Sequence, residues 1–159
     1  MTDNFWLGRD FDPSSHEPIN FIETRLHDLS PFSAHTVELD GVVYPTAEHA
    51  YHALRVMPDW SEQVMTARSP LAAWRVAQEA KEAKALIEHD KDALMERIFR
   101  AKLEQHEDVR RVLLLTGERE LHKVFDADYY WGTGADDTGE NKMGKLWMKL
   151  RAELQERPK

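Results

Sequence analysis

An Asp-Gly pair set between two short apolar runs leaves this chain little conformational choice between residues 35 and 44. His35-Thr36-Val37-Glu38-Leu39 and Val42-Val43-Tyr44 flank Asp40-Gly41. Asp-Gly accepts the positive φ angles of a two-residue turn, so the spacing predicts a β-hairpin. Pro45 punctuates its end, and Thr46 carries the short hydroxyl that caps a helix by accepting a bond from an orphan backbone N–H. Glu48 then falls in the first helical turn, where the dipole favours a negative charge. Positions three and four apart share a face, so Glu48, Tyr51 and His52 project together. A carboxylate beside a Tyr and a His at a helix start is a candidate reaction centre. The plainer reading is a capping charge at Glu48 and a core ring at Tyr51.

The rest of the chain reads as mostly helical. Residues 1 to 18 form an irregular N-terminal arm broken by Gly8, Asp12-Pro13-Ser14-Ser15 and Pro18, with Phe5, Trp6 and Phe11 packing it on the body. Ile19-Asn20-Phe21-Ile22 reads as a short strand. Leu26 to Phe32 is extended or turning, with Ser30 restricted by Pro31. Asp59 to Glu62 resembles a capping pair, and Ser69-Pro70 a second helix start, with Leu71, Trp74, Ala77 and Val76 on the apolar side. Ala83 to about Gln105 repeats apolar residues near the helical period, as one long helix or two abutting ones. Asp108 to Leu115 continues helically until Thr116-Gly117. Leu121 to Phe125 is ambiguous, Asp126 to Gly139 is a Gly- and Asp-rich loop, and Lys142 to Glu156 forms a last helix with Met143, Leu146, Trp147 and Leu150 inward. The fold class expected is mainly α with a few short β-strands near the N-terminus, in one domain over residues 19–156.

Composition narrows the function. The 159 residues, 42% hydrophobic and 31% charged, suit a globular protein. The chain contains no cysteine, which excludes disulfides and thiolate zinc sites. No signal-peptide layout or membrane-length apolar run is present, so a cytoplasmic location is expected. The net charge of −8, with dispersed Lys and Arg, argues against broad coating of nucleic acid. A pocket for one phosphate needs only one or two local cations.

The second unusual stretch runs Asp128-Tyr129-Tyr130-Trp131-Gly132-Thr133-Gly134, then Gly139-Glu140-Asn141-Lys142-Met143-Gly144-Lys145. Aromatics beside flexible glycines suit a loop that stacks on a planar ligand while its backbone comes close. Asn141 suits sugar hydroxyls, and Lys142 or Lys145 a phosphate. The alternative is a turn-rich connector with Trp131 in the core. The glycine spacing is no dinucleotide fingerprint, because no convincing strand precedes it, and Asp136-Asp137 lacks the oxygen pattern of an EF-hand. Glu48, His49 and His52 do not follow the His-Glu-x-x-His pattern of zinc enzymes. Ser30 lacks a nucleophile elbow.

Together these stretches resemble the YbiA-like, or NADAR, family, from about Ile19 to Arg151. The resemblance rests on Ile19-Asn20-Phe21, Leu29-Ser30-Pro31-Phe32, Tyr44 to Tyr51, Ser69-Pro70, Met95, Lys102-Leu103-Glu104-Gln105, Leu113 to Gly117 and the two boxes of the late loop, ending in Met148 and Arg151. It implies a compact, mainly helical domain and an N-glycosidase that needs no metal or cofactor. Family members are associated with cleaving phosphoribose from an aminopyrimidine in early riboflavin intermediates. Other branches are associated with ADP-ribose, including its removal from modified guanine in nucleic acid. The implied partners are a small nucleotide or phosphoribosyl substrate, or ADP-ribosylated nucleic acid, and no membrane. A third class, a non-catalytic binder of nucleotide sugars, is disfavoured by the retained Glu48.

Within that resemblance Glu48 is the expected catalytic carboxylate, since N-glycoside cleavage builds positive charge on the ribose, and Asp128 is the second candidate. Trp131 is expected to stack on the base, with Gly132 beside it and Asn141 on the ribose. Lys91 or Arg55 would pair with phosphate, and Tyr51 and His52 would line the substrate. Four positions depart from the family pattern. Pro31 replaces an Asn, His52 a Gln, Arg55 a Lys and Ile87 a Trp. Lys91 is retained.

Overall fold

The computed structural model describes residues 14–22 and 26–157. Most of the expected N-terminal arm, Phe5, Trp6 and Phe11 included, lies outside them. Among the described residues the fold is mainly α: six α-helices, a single turn of 3-10 helix at His27–Leu29 and four strands of two or three residues. The chain divides into one unit of residues 31–106 and another built from residues 1–30 and 107–159.

The contiguous unit opens with the hairpin. Strand β1, at Ile19–Asn20, belongs to the other unit; β2 (Val37–Leu39) and β3 (Val42–Tyr44) pair antiparallel with Leu39 opposite Val42. Asp40 and Gly41 take φ of +51° and +81°, as the two-residue turn requires. The outer edge of β2 is blunted by Gln105, whose amide exchanges two 2.9 Å bonds with the Glu38 backbone. Helix α1 (Ala47–Arg55) follows at once. Its orphan N–H groups are met: Thr46 Oγ1 accepts from His49 N at 3.1 Å, and the Pro31 carbonyl accepts from Glu48 N at 3.0 Å. Pro31 thus supplies the backbone oxygen on which α1 starts.

Helices α2 (Pro58–Met65), α3 (Pro70–Glu82) and α4 (Lys91–Gln105) complete this unit, with α1 packed against all three. Three expectations change here. Helix α2 begins at Pro58 after Met57 with no side-chain cap, so Asp59 sits inside the first turn and does not cap it. In α3 the buried face is Ala73, Ala77 and Ala80, whereas Leu71 and Trp74 stand exposed. Three alanines let helices approach closely, and that contact decides the orientation over hydrophobicity alone.

The third change concerns residues 83–90, which are not helical. Helix α3 ends in a Schellman motif, with Ala85 N donating to Ala80 O and Lys84 N to Lys81 O. Lys84 occupies the left-handed position, φ +56°, that glycine usually takes. The following residues run back along the end of α1. Met57 N donates to Ala85 O at 2.8 Å, Ile87 N donates to Arg55 O at 3.0 Å, and Val56 bridges Leu86.

In the other unit β1 pairs in parallel with β4 (Leu121–His122), a strand late in the chain. Helix α5 (Glu107–Leu115) stops at Gly117, φ +62°, and α6 (Lys142–Glu156) packs on α5 and β4. Phe21, Leu29, Val109, Val112, Leu113, Leu121, Met143, Trp147 and Leu150 form its core. The Trp147 indole N–H is satisfied by the Leu29 carbonyl at 2.8 Å.

Candidate functional site

Thr46 sets the phase of α1, and the phase buries one whole face. Glu48, His49 and His52 are all nearly inaccessible, at 8%, 2% and 3% exposure. His52 lies one turn beyond Glu48 and donates from Nε2 to Glu48 Oε1 at 2.6 Å. Arg55, three residues further on, donates from Nε to His52 Nδ1 at 2.9 Å. A guanidinium can only donate, so Nδ1 carries no proton and the neutral ring holds its proton on Nε2. Glu48 is thereby met as an acceptor, in the manner of a carboxylate. Burial pushes the Arg55 guanidinium below its ordinary pKa, and Tyr51 and Glu48 act in the opposite sense. The Arg55 guanidinium also lies over the Tyr51 ring, 5.4 Å from its centroid.

Glu48, Tyr51 and His52 are therefore brought together as expected from their spacing, and Arg55, named only through the resemblance, joins them. His49 turns elsewhere: Nε2 donates to the Ala67 carbonyl at 3.0 Å and Nδ1 meets Thr46 Oγ1 at 2.8 Å. It ties α1 to the turn after α2 and does not converge with Glu48 and His52. Lys91 is exposed at the first residue of α4.

The second group of candidates lies in the other unit, on a loop closed by backbone hydrogen bonds where flexible glycines were expected. Five consecutive carbonyls, Tyr129 to Thr133, accept from the backbone N–H groups of Glu140, Lys142, Met143, Asn141 and Gly139. Asp128 anchors the turn: Oδ1 accepts from Tyr130 N at 3.1 Å and Trp131 N at 2.9 Å, and Oδ2 accepts from Lys123 Nζ at 2.6 Å. Burial pushes the Asp128 carboxyl up. The Lys123 ammonium and the two N–H groups outweigh it and hold the carboxyl below its usual range. A carboxylate so fully engaged serves as an ionised anchor.

The loop glycines make room for the chain's own backbone and for the Tyr129 ring. A Cβ on Gly132 would stand 2.7 Å from the Lys123 carbonyl, and one on Gly134 would enter the Tyr129 ring. Trp131 is half-buried, its ring edge-on to Tyr130 at 4.9 Å. Asn141, in the left-handed region at φ +49°, precedes α6 without capping it. Its amide instead donates to Leu121 O and accepts from Lys123 N, both at 3.0 Å, which fastens α6 to β4. Lys142 lies 5.1 Å from the Tyr130 ring centroid.

Two residues with a part in these arrangements carry no sequence signal. Lys123, the counter-ion of Asp128, sits in a stretch of ambiguous type. His89 lies in the segment read as helix, and its ring meets Tyr51 edge-on at 6.0 Å.

Comparison with known proteins agrees with this architecture. The NADAR domain family model matches residues 17–155. The N-glycosidase YbiA of Escherichia coli is 34% identical over 140 residues, covering 86% of this chain and 88% of that protein. An N-glycosidase of Nostoc punctiforme is 31% identical over 137 residues, 79% of this chain and 84% of its own. A riboflavin biosynthesis protein of Vibrio vulnificus is 31% identical over 88% of this chain, which spans 39% of that longer protein. The NMR structure of Escherichia coli YbiA superposes with a TM-score of 0.79 at 30% identity, covering 96% of both chains. With the family model matched over residues 17–155 and relatives of this identity covered over most of their length, the chain belongs to the NADAR domain family.

Proposed function

We propose that this N-glycosidase hydrolyses the C–N bond between a phosphoribosyl group and an aminopyrimidine or purine-like base, with Glu48 as the catalytic carboxylate. The observation that carries the proposal is the line Glu48–His52–Arg55, buried at Glu48 and His52 and held by bonds of 2.6 and 2.9 Å. The reaction needs negative charge beside a ribose that becomes cationic, and a group to take a proton from the attacking water. One oxygen of Glu48 is held by His52, which orients the carboxylate for either task. The C–N bond breaks with its electron pair on the base nitrogen, water adds as hydroxide to the anomeric carbon, and the proton that water gives to Glu48 passes on through solvent to that nitrogen, which returns Glu48 to carboxylate.

His52 and Arg55 act in this scheme as positioning residues. The remaining nitrogens of Arg55, and Lys91 on α4, are the proposed cations for phosphate. The aromatic loop is proposed on its own geometry. Its closed backbone presents the Trp131 ring in one orientation, which suits stacking on a planar base, while Gly132 and Asn141 keep the loop and α6 in place. The names of the relatives from Vibrio and Escherichia coli support an N-glycoside of the riboflavin route as substrate class.

The deciding experiment offers wild type and Glu48→Gln two substrates, a phosphoribosylaminopyrimidine and an oligonucleotide carrying ADP-ribosylated guanine. Ribose 5-phosphate released by wild type alone supports the proposal. Release of ADP-ribose would replace the substrate class, and equal turnover by the Gln variant would remove Glu48 from the chemistry.

A further inference from the structure

His89 holds a buried acceptor that nothing in the fold satisfies. Its Nδ1 lies 3.1 Å from the Ile87 carbonyl, which can only accept, so Nδ1 carries a proton, and in the neutral ring Nε2 holds a lone pair. That Nε2 is the one buried side-chain nitrogen or oxygen without a hydrogen-bond partner among the described residues. Leaving a polar atom in this condition is costly, and native interiors keep few such atoms without a use.

The location supplies a use. The segment between α3 and α4 is fastened to the end of α1 by Met57 N to Ala85 O and Ile87 N to Arg55 O. This latch sets the His89 ring against Tyr51 at 6.0 Å. Tyr51 in turn meets the His52 ring at 5.3 Å, and His52 holds Glu48. The His89 ring is therefore one aromatic ring away from the residues assigned to the chemistry.

We propose that His89 Nε2 is a recognition acceptor for an N–H or O–H donor of the substrate, either an exocyclic amino group of the base or a ribose hydroxyl. The proposal rests on the reading of Glu48 given above for its location. A lone pair repels carbonyl and phosphate oxygens, so the atom selects for donors and against the oxo form of the same ring. This gives α1 and its latch a share in choosing the base.

The test uses the full chain with its histidines 15N-labelled and three probes that need not be cleaved. CMP carries a ring amino group, UMP a carbonyl at the same position, and dCMP lacks the 2′-hydroxyl. The free protein should show the His89 proton on Nδ1. A shift of His89 Nε2 with CMP and dCMP but not UMP assigns the amino group; a shift with CMP and UMP but not dCMP assigns the hydroxyl. No response to any probe, or a proton already on Nε2, overturns the proposal. In turnover assays His89→Leu should raise KM about three- to tenfold, well beyond its effect on kcat, without lowering thermal stability. His89→Gln, whose amide oxygen accepts, should restore KM; an unchanged KM in the Leu variant counts against the proposal. A probe-dependent shift together with an active Glu48→Gln would leave this inference standing and sink the assigned chemistry.

Discussion

His52 Nε2 stands 2.6 Å from Glu48 Oε1, one helical turn away, with both side chains almost wholly buried. Glu48→Gln keeps the shape of the residue and removes its charge. Turnover should fall by two to four orders of magnitude, the usual range for a lost acid–base group. The melting temperature should stay close to wild type. Product release by chromatography and a thermal melt, run on the same preparation, check both halves.

Arg55 determines which nitrogen of His52 carries the proton. In Arg55→Met the ring is free to change tautomer, and Glu48 loses its fixed partner for part of the time. The expected result is a fall in kcat of about tenfold, in line with the modest net value of one hydrogen bond to a charged group. Nitrogen spectra of His52 should show mixed tautomers in the variant and one in wild type. An unmixed spectrum in Arg55→Met would show that Arg55 has no such influence.

Asp128 is depressed in pKa by Lys123 and two backbone N–H groups, despite its burial. A carboxyl with a lowered folded pKa stabilises the fold above its unfolded value, about 3.9. That contribution disappears as pH falls through the folded value. Asp128→Asn should therefore be less stable than wild type at pH 7 by about 1–3 kcal/mol. The gap should close as pH drops below about 4, which denaturant titrations at several pH values will show.

Gly144 sits inside α6, where alanine ordinarily gains about 1 kcal/mol. Here a Cβ would run into the Leu121 carbonyl and both ends of the Asn141 amide. Gly144→Ala should invert the usual sign and destabilise by 2 kcal/mol or more, roughly the cost of overpacking. A higher melting temperature in this variant would show that β4 and α6 can move apart freely.

Local chemistry made much of this fold legible. Asp40-Gly41, the Thr46 and Ser69 caps, the stop at Gly117 and the span of α6 each depend on residues within a turn of one another. What escaped depends on distant partners. The break after α3 carries no glycine or proline, because Lys84 takes the left-handed position. With that break unseen, His89 looked like one more helical residue. The exposed Trp74 follows from alanines meeting neighbouring helices, a preference that hydrophobicity does not record. In the site, Glu48, Tyr51 and His52 were readable as one helix face, and Arg55 only through the family resemblance. The occupation of the Asp128 and Asn141 side chains was not, because Lys123 and Leu121 lie several to twenty residues away.

The pairing of Ile19 with Leu121 has a consequence for biosynthesis. Residues 31–106 form one unbroken stretch, whereas the other unit needs both chain ends. Contacts between distant segments form late, and chains emerge from the ribosome N-terminus first. The hairpin and helices α1 to α4 are thus complete as sequence while Phe21 still awaits Leu121, Met143 and Trp147. The surroundings of Glu48 are made from chain synthesised early, and the aromatic loop takes shape only when the last helix arrives.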